Sequence, residues 1–197
     1  ARSQLESSQK ELQEQQDSTT SELAQTSKAV DAAVATQSAY NAQLAGLQAS
    51  KMALETEKKA YTDAGIEAQY EQINESFASI RSMASGYGMD AWAYPTDISD
   101  ALKNPKKLEA LTAFMKQIGQ SDAAASLTAD NLKQLDQIVN TRLPQIDTEL
   151  ANLAVEIQAA QAIVDQVNEQ VKAATDNYEA LESGKISAAV GFSTGAA

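Results

Sequence analysis

Apolar residues recur along most of this chain at steps of three and four. From Ser3 to about Thr62 there is no Pro and one Gly, Gly46. Leu5, Leu12, Thr19, Thr26, Ala33, Tyr40, Leu47, Leu54 and Tyr61 fall every seven residues, with Leu23, Val30 and Leu44 on a second line four residues on. That is a heptad seam, and it predicts one long helix. Gln9, Gln16, Gln37 and Lys51 dilute it at core positions, so the helix needs a partner to stay ordered. Gly65 ends or bends it. Ile66, Tyr70, Ile73, Phe77 and Ile80 then carry a second helical segment to about Met83, completing an N-terminal region over 1–83.

The closing region, 128–183, has the strongest pattern. Leu132, Leu135, Val139, Leu143, Ile146, Leu150, Leu153, Ile157, Ala160, Val164, Val167, Val171, Ala174, Tyr178 and Leu181 follow at steps of three or four without a skip. Thr128 is placed to cap this helix and Gly184 to stop it. Pro144 lies inside it, removing a bond to the residue 140 carbonyl, and predicts a kink or a break. A small, nearly uncharged tail over 184–197 holds Ile186, Val190 and Phe192; it suits insertion between neighbouring copies.

Between the helical regions, residues 84–127 read as a loop-rich cap. It contains Gly86, Gly88 and Pro95 with Tyr87, Trp92 and Tyr94. Thr96 is positioned to cap a short helix through Leu102. Asn104 and Pro105 open another that ends at Gly119, with Leu108, Leu111, Met115 and Ile118 on one face. Two seams joined by about 45 residues of cap fold most simply as an all-α, elongated antiparallel coiled-coil hairpin with a small helical, loop-rich cap.

Composition removes most catalytic chemistry. The 197 residues include no Cys and no His, which excludes thiolate catalysis, Cys/His zinc sites and imidazole bases. No enzyme activity and no cofactor are expected. Fifteen Lys and Arg against 27 Asp and Glu give a net charge of −12, which opposes nucleic-acid binding. No run of about 18 apolar residues is present to span a bilayer, and the opening ARSQLESSQKEL lacks a signal-peptide core.

The remaining candidates each have a plainer role open to them. Asp97 with Asp100 and Asp63 with Glu67 pair carboxylates, but without a calcium-loop pattern they read as solvated surface. GYGMD follows a helix and reads as a turn rather than a phosphate loop. Lys103, Lys106 and Lys107 are the only basic cluster and read as solvated. Tyr87, Trp92 and Tyr94 are candidate cap contacts. Trp92 reads first as an anchor of the cap and second as a recognition hot spot. The assembly candidates are seam residues: Leu5, Leu12, Leu23, Val30, Leu44, Leu47 and Leu54, and opposite them Ile146, Leu150, Leu153, Ile157, Val164, Val167, Val171, Tyr178 and Leu181. Alanines flank both seams, including Ala29, Ala32, Ala35, Ala39 and Ala42, and Ala154, Ala159, Ala162 and Ala173. They favour close helix approach on more than one side.

From about Ala39 onward the layout resembles the EspA/SseB family of type III secretion filament and needle-tip subunits. YPTDISDALKNPKK (Tyr94 to Lys107) is similar to the family's short cap helix. LTADNLKQLDQIVNTRLPQIDTELANLAVEIQAAQ is similar to its long closing helix, with Leu132, Ile138, Leu150, Ile157 and Val164 at the apolar positions. The resemblance implies a secreted, bacterial cell-surface subunit that polymerises with itself into a conduit for effectors. It also implies a cognate secretion chaperone, needle and translocator proteins as partners. The alternatives are a flagellin-like filament protein, or a coiled-coil chaperone or adaptor that binds clients at the hairpin tip. A cluster of exposed apolar residues near Trp92 is the feature that would favour the last.

Overall fold

The computed structural model describes residues 1–195, and the side chains of residues 1–184. The chain is all-α, with no strand among the described residues. Seven helices follow in order: α1 (Arg2–Asp63), α2 (Ile66–Gly86), α3 (Ile98–Lys103), α4 (Pro105–Gln117), α5 (Ser121–Ser126), α6 (Ala129–Gln137) and α7 (Leu143–Gly195). A 3-10 turn, Ala91–Ala93, precedes α3, and a π-turn, Ile138–Arg142, joins α6 to α7. No helix of the described residues is long and apolar enough to cross a membrane.

The chain divides into two compact units. The first combines residues 1–49 with 154–197 and is an antiparallel pairing of α1 with α7. Gln37 Nε2 donates to Asn168 Oδ1 at 2.7 Å, and Leu44 packs with Ala160 and Val164, so numbers rise along one helix as they fall along the other. Tyr40, Leu47 and Ile157 border that small cluster. The two predicted lines are the buried or half-buried ones: Thr19, Leu23, Thr26, Val30, Ala33, Tyr40, Leu44 and Leu47 on α1, and Ile157, Ala160, Val164, Val167, Val171, Tyr178 and Leu181 on α7. Thr19 and Thr26 are tolerated there because their hydroxyls donate to the carbonyls of Gln15 and Glu22, which satisfies the polar atom within the helix. Leu5 and Leu12, on the same seven-residue line, are instead exposed.

The second unit, Ser50–Leu153, holds the main core. Phe77, Ile80 and Ala84 of α2, Ile98 and Ala101 of α3, Leu108, Leu111, Phe114 and Met115 of α4, and Leu132 of α6 are buried together with Tyr94 and Leu127. Each large apolar side chain buried in this way contributes about 1.5–3 kcal/mol. Below the cap, Leu143 and Ile146 are buried, while Leu54, Leu150 and Leu153 are half-buried.

Local chemistry sets the element boundaries. Gly65 is left-handed, at φ 65°, and separates α1 from α2 as its position predicts. Thr128 Oγ1 accepts from the Asn131 N–H at 3.2 Å and caps α6. The cap of α3 is Asp97, not Thr96. Asp97 Oδ1 accepts from the Asp100 N–H at 2.7 Å, and Asp100 Oδ2 accepts from the Thr96 N–H at 3.0 Å, a reciprocal arrangement that a threonine side chain at 96 does not offer.

The closing helix does not run uninterrupted from 128: the kink or break predicted at Pro144 takes the form of the π-turn that joins α6 to α7. The Leu143 N–H donates to the Ile138 carbonyl, five residues back, so the ladder steps over just before Pro144, whose missing N–H would have interrupted it. Nor does Gly184 stop it, since α7 runs to Gly195. Gly184 has no positive φ, and a lone helical glycine costs only about 1 kcal/mol relative to alanine. Ile186, Val190 and Phe192, the expected neighbour contacts of the tail, lie outside the described side chains. At the other boundary α2 extends to Gly86, so the cap begins slightly later than residue 84.

Candidate functional site

The most distinctive surface among the described residues lies where α2 ends. The Met89 N–H donates to the Ala84 carbonyl and the Gly88 N–H to the Ser85 carbonyl, both at 3.0 Å, with Gly88 left-handed at φ 77°. This glycine-dependent C-terminal cap is what the GYGMD stretch builds. It reverses the chain and leaves Tyr87 and Met89 on the surface. Asp90 then caps the 3-10 turn by accepting from the Trp92 N–H at 3.0 Å.

The three cap aromatics take three different roles. Tyr94 is buried, edge-on to Phe114 with ring centroids 5.9 Å apart, and its hydroxyl donates to Met89 Sδ at 3.5 Å. Tyr87 leans on the same Phe114 ring at 6.4 Å yet remains 73% exposed. Trp92 is 75% exposed, which corrects the expectation that it anchors the cap. Trp92 is held from the side instead: Arg81 Nε donates to the Ala91 carbonyl at 2.8 Å, and its guanidinium carbon lies 5.2 Å from the Trp92 ring centroid.

Met83 and Met89 are also exposed, so two methionines and two aromatics lie on the surface within ten residues of chain. Flexible thioethers beside rigid aromatic rings adapt to varied apolar partners. The electrostatics suit contact. The cap, residues 84–127, carries four lysines against five carboxylates, while the whole chain sits at −12. Arg81, Met83, Met89 and Phe114 carry no sequence signal that singles them out as site residues. Phe114 escapes the face drawn through Leu111 and Met115, although 114 also lies three residues after 111.

The other candidates take structural places. Asp97 and Asp100 are spent on capping. The Asp100 carboxyl lies below its ordinary value of 3.8, chiefly because it accepts from the Thr96 backbone, with Asn104 and Lys107 adding to the effect against some desolvation. Lys107 reaches it at 3.5 Å, while Lys103 and Lys106 are exposed. No cluster of three or more metal-ligating side chains is found among the described residues. Of the seam residues, Leu44, Leu47, Ile157 and Val164 pack together, the others are buried or half-buried, and Leu5 and Leu12 are exposed. The flanking alanines, Ala29, Ala32, Ala35, Ala39 and Ala42 with Ala154, Ala159, Ala162 and Ala173, are exposed.

The chain matches no protein-family model, no curated protein and no solved structure.

Proposed function

We propose that this chain is a non-enzymatic structural subunit that assembles with copies of itself through its long helices. It would be a secreted, bacterial cell-surface filament or needle-tip component of the kind the EspA/SseB resemblance implies, passing effectors and meeting a cognate chaperone, needle and translocator proteins. One observation carries this reading. The seven-residue line that is covered from Thr19 onward continues outward as Leu5, 62% exposed, and Leu12, 39% exposed. A heptad line with exposed leucines is a surface that coiled-coil packing between chains would cover. The exposed alanine flanks beside it permit close approach of further helices.

Electron microscopy and sedimentation velocity over rising protein concentration test it. Polymers or defined oligomers are expected, and Leu5→Glu with Leu12→Glu should suppress them without loss of helicity. Monodisperse monomers under all conditions would overturn the proposal.

A second reading is favoured by the exposed Trp92, Tyr87, Met83 and Met89. A chaperone or adaptor that holds clients at its cap needs such an exposed apolar surface. It predicts a monomer that binds apolar segments and loses them on Trp92→Ala with Tyr87→Ala.

A further inference from the structure

In the second unit both long helices are interrupted at one level. Gly65 separates α1 from α2, and opposite it the π-turn separates α6 from α7. Gly65 and Leu143 line the same open hollow of about 410 Å³, together with Lys58, Tyr61, Ile66 and Asp147. Gly65 is left-handed, at φ 65°, and open space surrounds the position a methyl group would take there.

The side chains of the π-turn reach to both sides of this break. Arg142 pairs with Glu57, which precedes Gly65: Nε donates to Oε1 at 2.9 Å and Nη2 to Oε2. Asn140 Nδ2 donates to the Tyr70 hydroxyl, which follows Gly65, at 3.0 Å, and to Asp136 Oδ1 at 2.7 Å. Tyr70 donates in turn to Asp136 Oδ1 at 3.3 Å. Two residues of one π-turn therefore hold the segments before and after Gly65.

We propose that Gly65 is a hinge whose angle is set by the π-turn, with Arg142 strapping the segment before it and Asn140 the segment after it. Single residues at element ends can absorb the dihedral change of a bend, and π-turns often mark such places. The straps are directional polar bonds at the surface rather than buried apolar packing, so either can be released without dismantling a core. The Lys58 Nζ contact to Asp147 Oδ1, at 2.7 Å, joins α1 to α7 beside the same hollow.

The absence of cysteine allows clean labelling. Spin labels on Ala53→Cys and Ala78→Cys, both exposed, bracket Gly65. Pulsed electron resonance on the full chain should give one narrow distance distribution. Glu57→Gln and Tyr70→Phe should each shift it or broaden it about twofold. Glu149→Gln, which removes a charge near Arg142 but no strap, should leave it unchanged, and the exchange Glu57→Arg with Arg142→Glu should restore it. Folding is followed by helical circular dichroism, and Tyr70→Phe tests the second strap even if Glu57→Gln unfolds. Strap variants that keep the original distribution overturn the proposal, as does an unmodified chain already as broad as they are.

Discussion

Glu57 and Arg142, 85 positions apart in sequence, meet as a two-pronged ion pair with both nitrogens of one edge engaged. The hydrogen bonds from Arg142 hold the Glu57 carboxyl below its ordinary 4.5, against some desolvation, and Glu57 in turn raises the Arg142 guanidinium. Tyr61, whose hydroxyl also donates to Glu57, adds to the lowering. A carboxyl depressed in the folded state contributes stability that is full above 4.5 and is lost as pH falls through its lower folded value. Asp100, lowered from its ordinary 3.8, acts in the same direction. Thermal melts through the acid range should therefore show a decline that Glu57→Gln makes shallower, and an equally steep decline in that variant would show that the pair carries none of it.

The alkaline side has the opposite sign. Asp147 raises the Lys58 ammonium above its ordinary 10.5, chiefly through the hydrogen bond between them. Its contribution is complete below 10.5 and disappears as pH rises through the higher folded value. Lys58→Met should remove this part of the alkaline decline. An unchanged alkaline limb in that variant would show that the pair carries no pH-dependent stability.

Burial separates two cap residues that look alike in sequence. Leu111 is fully enclosed in the main core, and Leu111→Ala should cost about 2–5 kcal/mol in denaturant titration. Trp92→Ala should cost less than about 1 kcal/mol, because the ring is exposed and forfeits only the contact with Arg81. A large loss at Trp92 would contradict its surface position.

That contrast marks where sequence patterning stops being informative. The line through Thr19, Leu23, Thr26, Val30 and Ala33 is half-buried because helical periodicity dictates which side chains share a face, whatever lies opposite. Gly65 and Thr128 were legible too, since a left-handed turn and a side-chain cap each demand a narrow set of residues. The outward position of Trp92 was not. It depends on how the 3-10 turn capped by Asp90 is set against Arg81, which no local pattern of the sequence encodes. The π-turn was visible only as a proline problem, because how a ladder accommodates Pro144 depends on the bonds that Asn140 and Arg142 find across the pair. Gly184 misled for a related reason: glycine permits a helix stop but does not enforce one.

Glycines of opposite conformation should respond oppositely to alanine. Gly119 ends α4 at φ 84°, with the Gln120 N–H donating to the Met115 carbonyl at 2.8 Å. Gly119→Ala should cost about 1–2 kcal/mol, since an L side chain disfavours that region. Gly46 lies within α1 with open space where a methyl group would stand, and Gly46→Ala should stabilise the chain by about 0.5–1 kcal/mol. Melting temperatures of the two variants should move in opposite directions.

Trp92 is the only tryptophan, so its fluorescence reports on the cap alone. Emission of the free chain should be red-shifted and readily quenched by acrylamide, as the exposure of the ring requires. The decisive comparison is between free and assembled protein. If copies join through their long helices, the cap takes no part in the contact and Trp92 stays as quenchable in the assembly as in the monomer. Mixing with an apolar client segment, by contrast, should shield it, and Arg81→Gln should weaken that shielding by freeing the ring from its support. A Trp92 that becomes protected on self-assembly alone would move the contact between copies from the leucine line of α1 to the cap, and Leu5→Glu would then leave assembly intact.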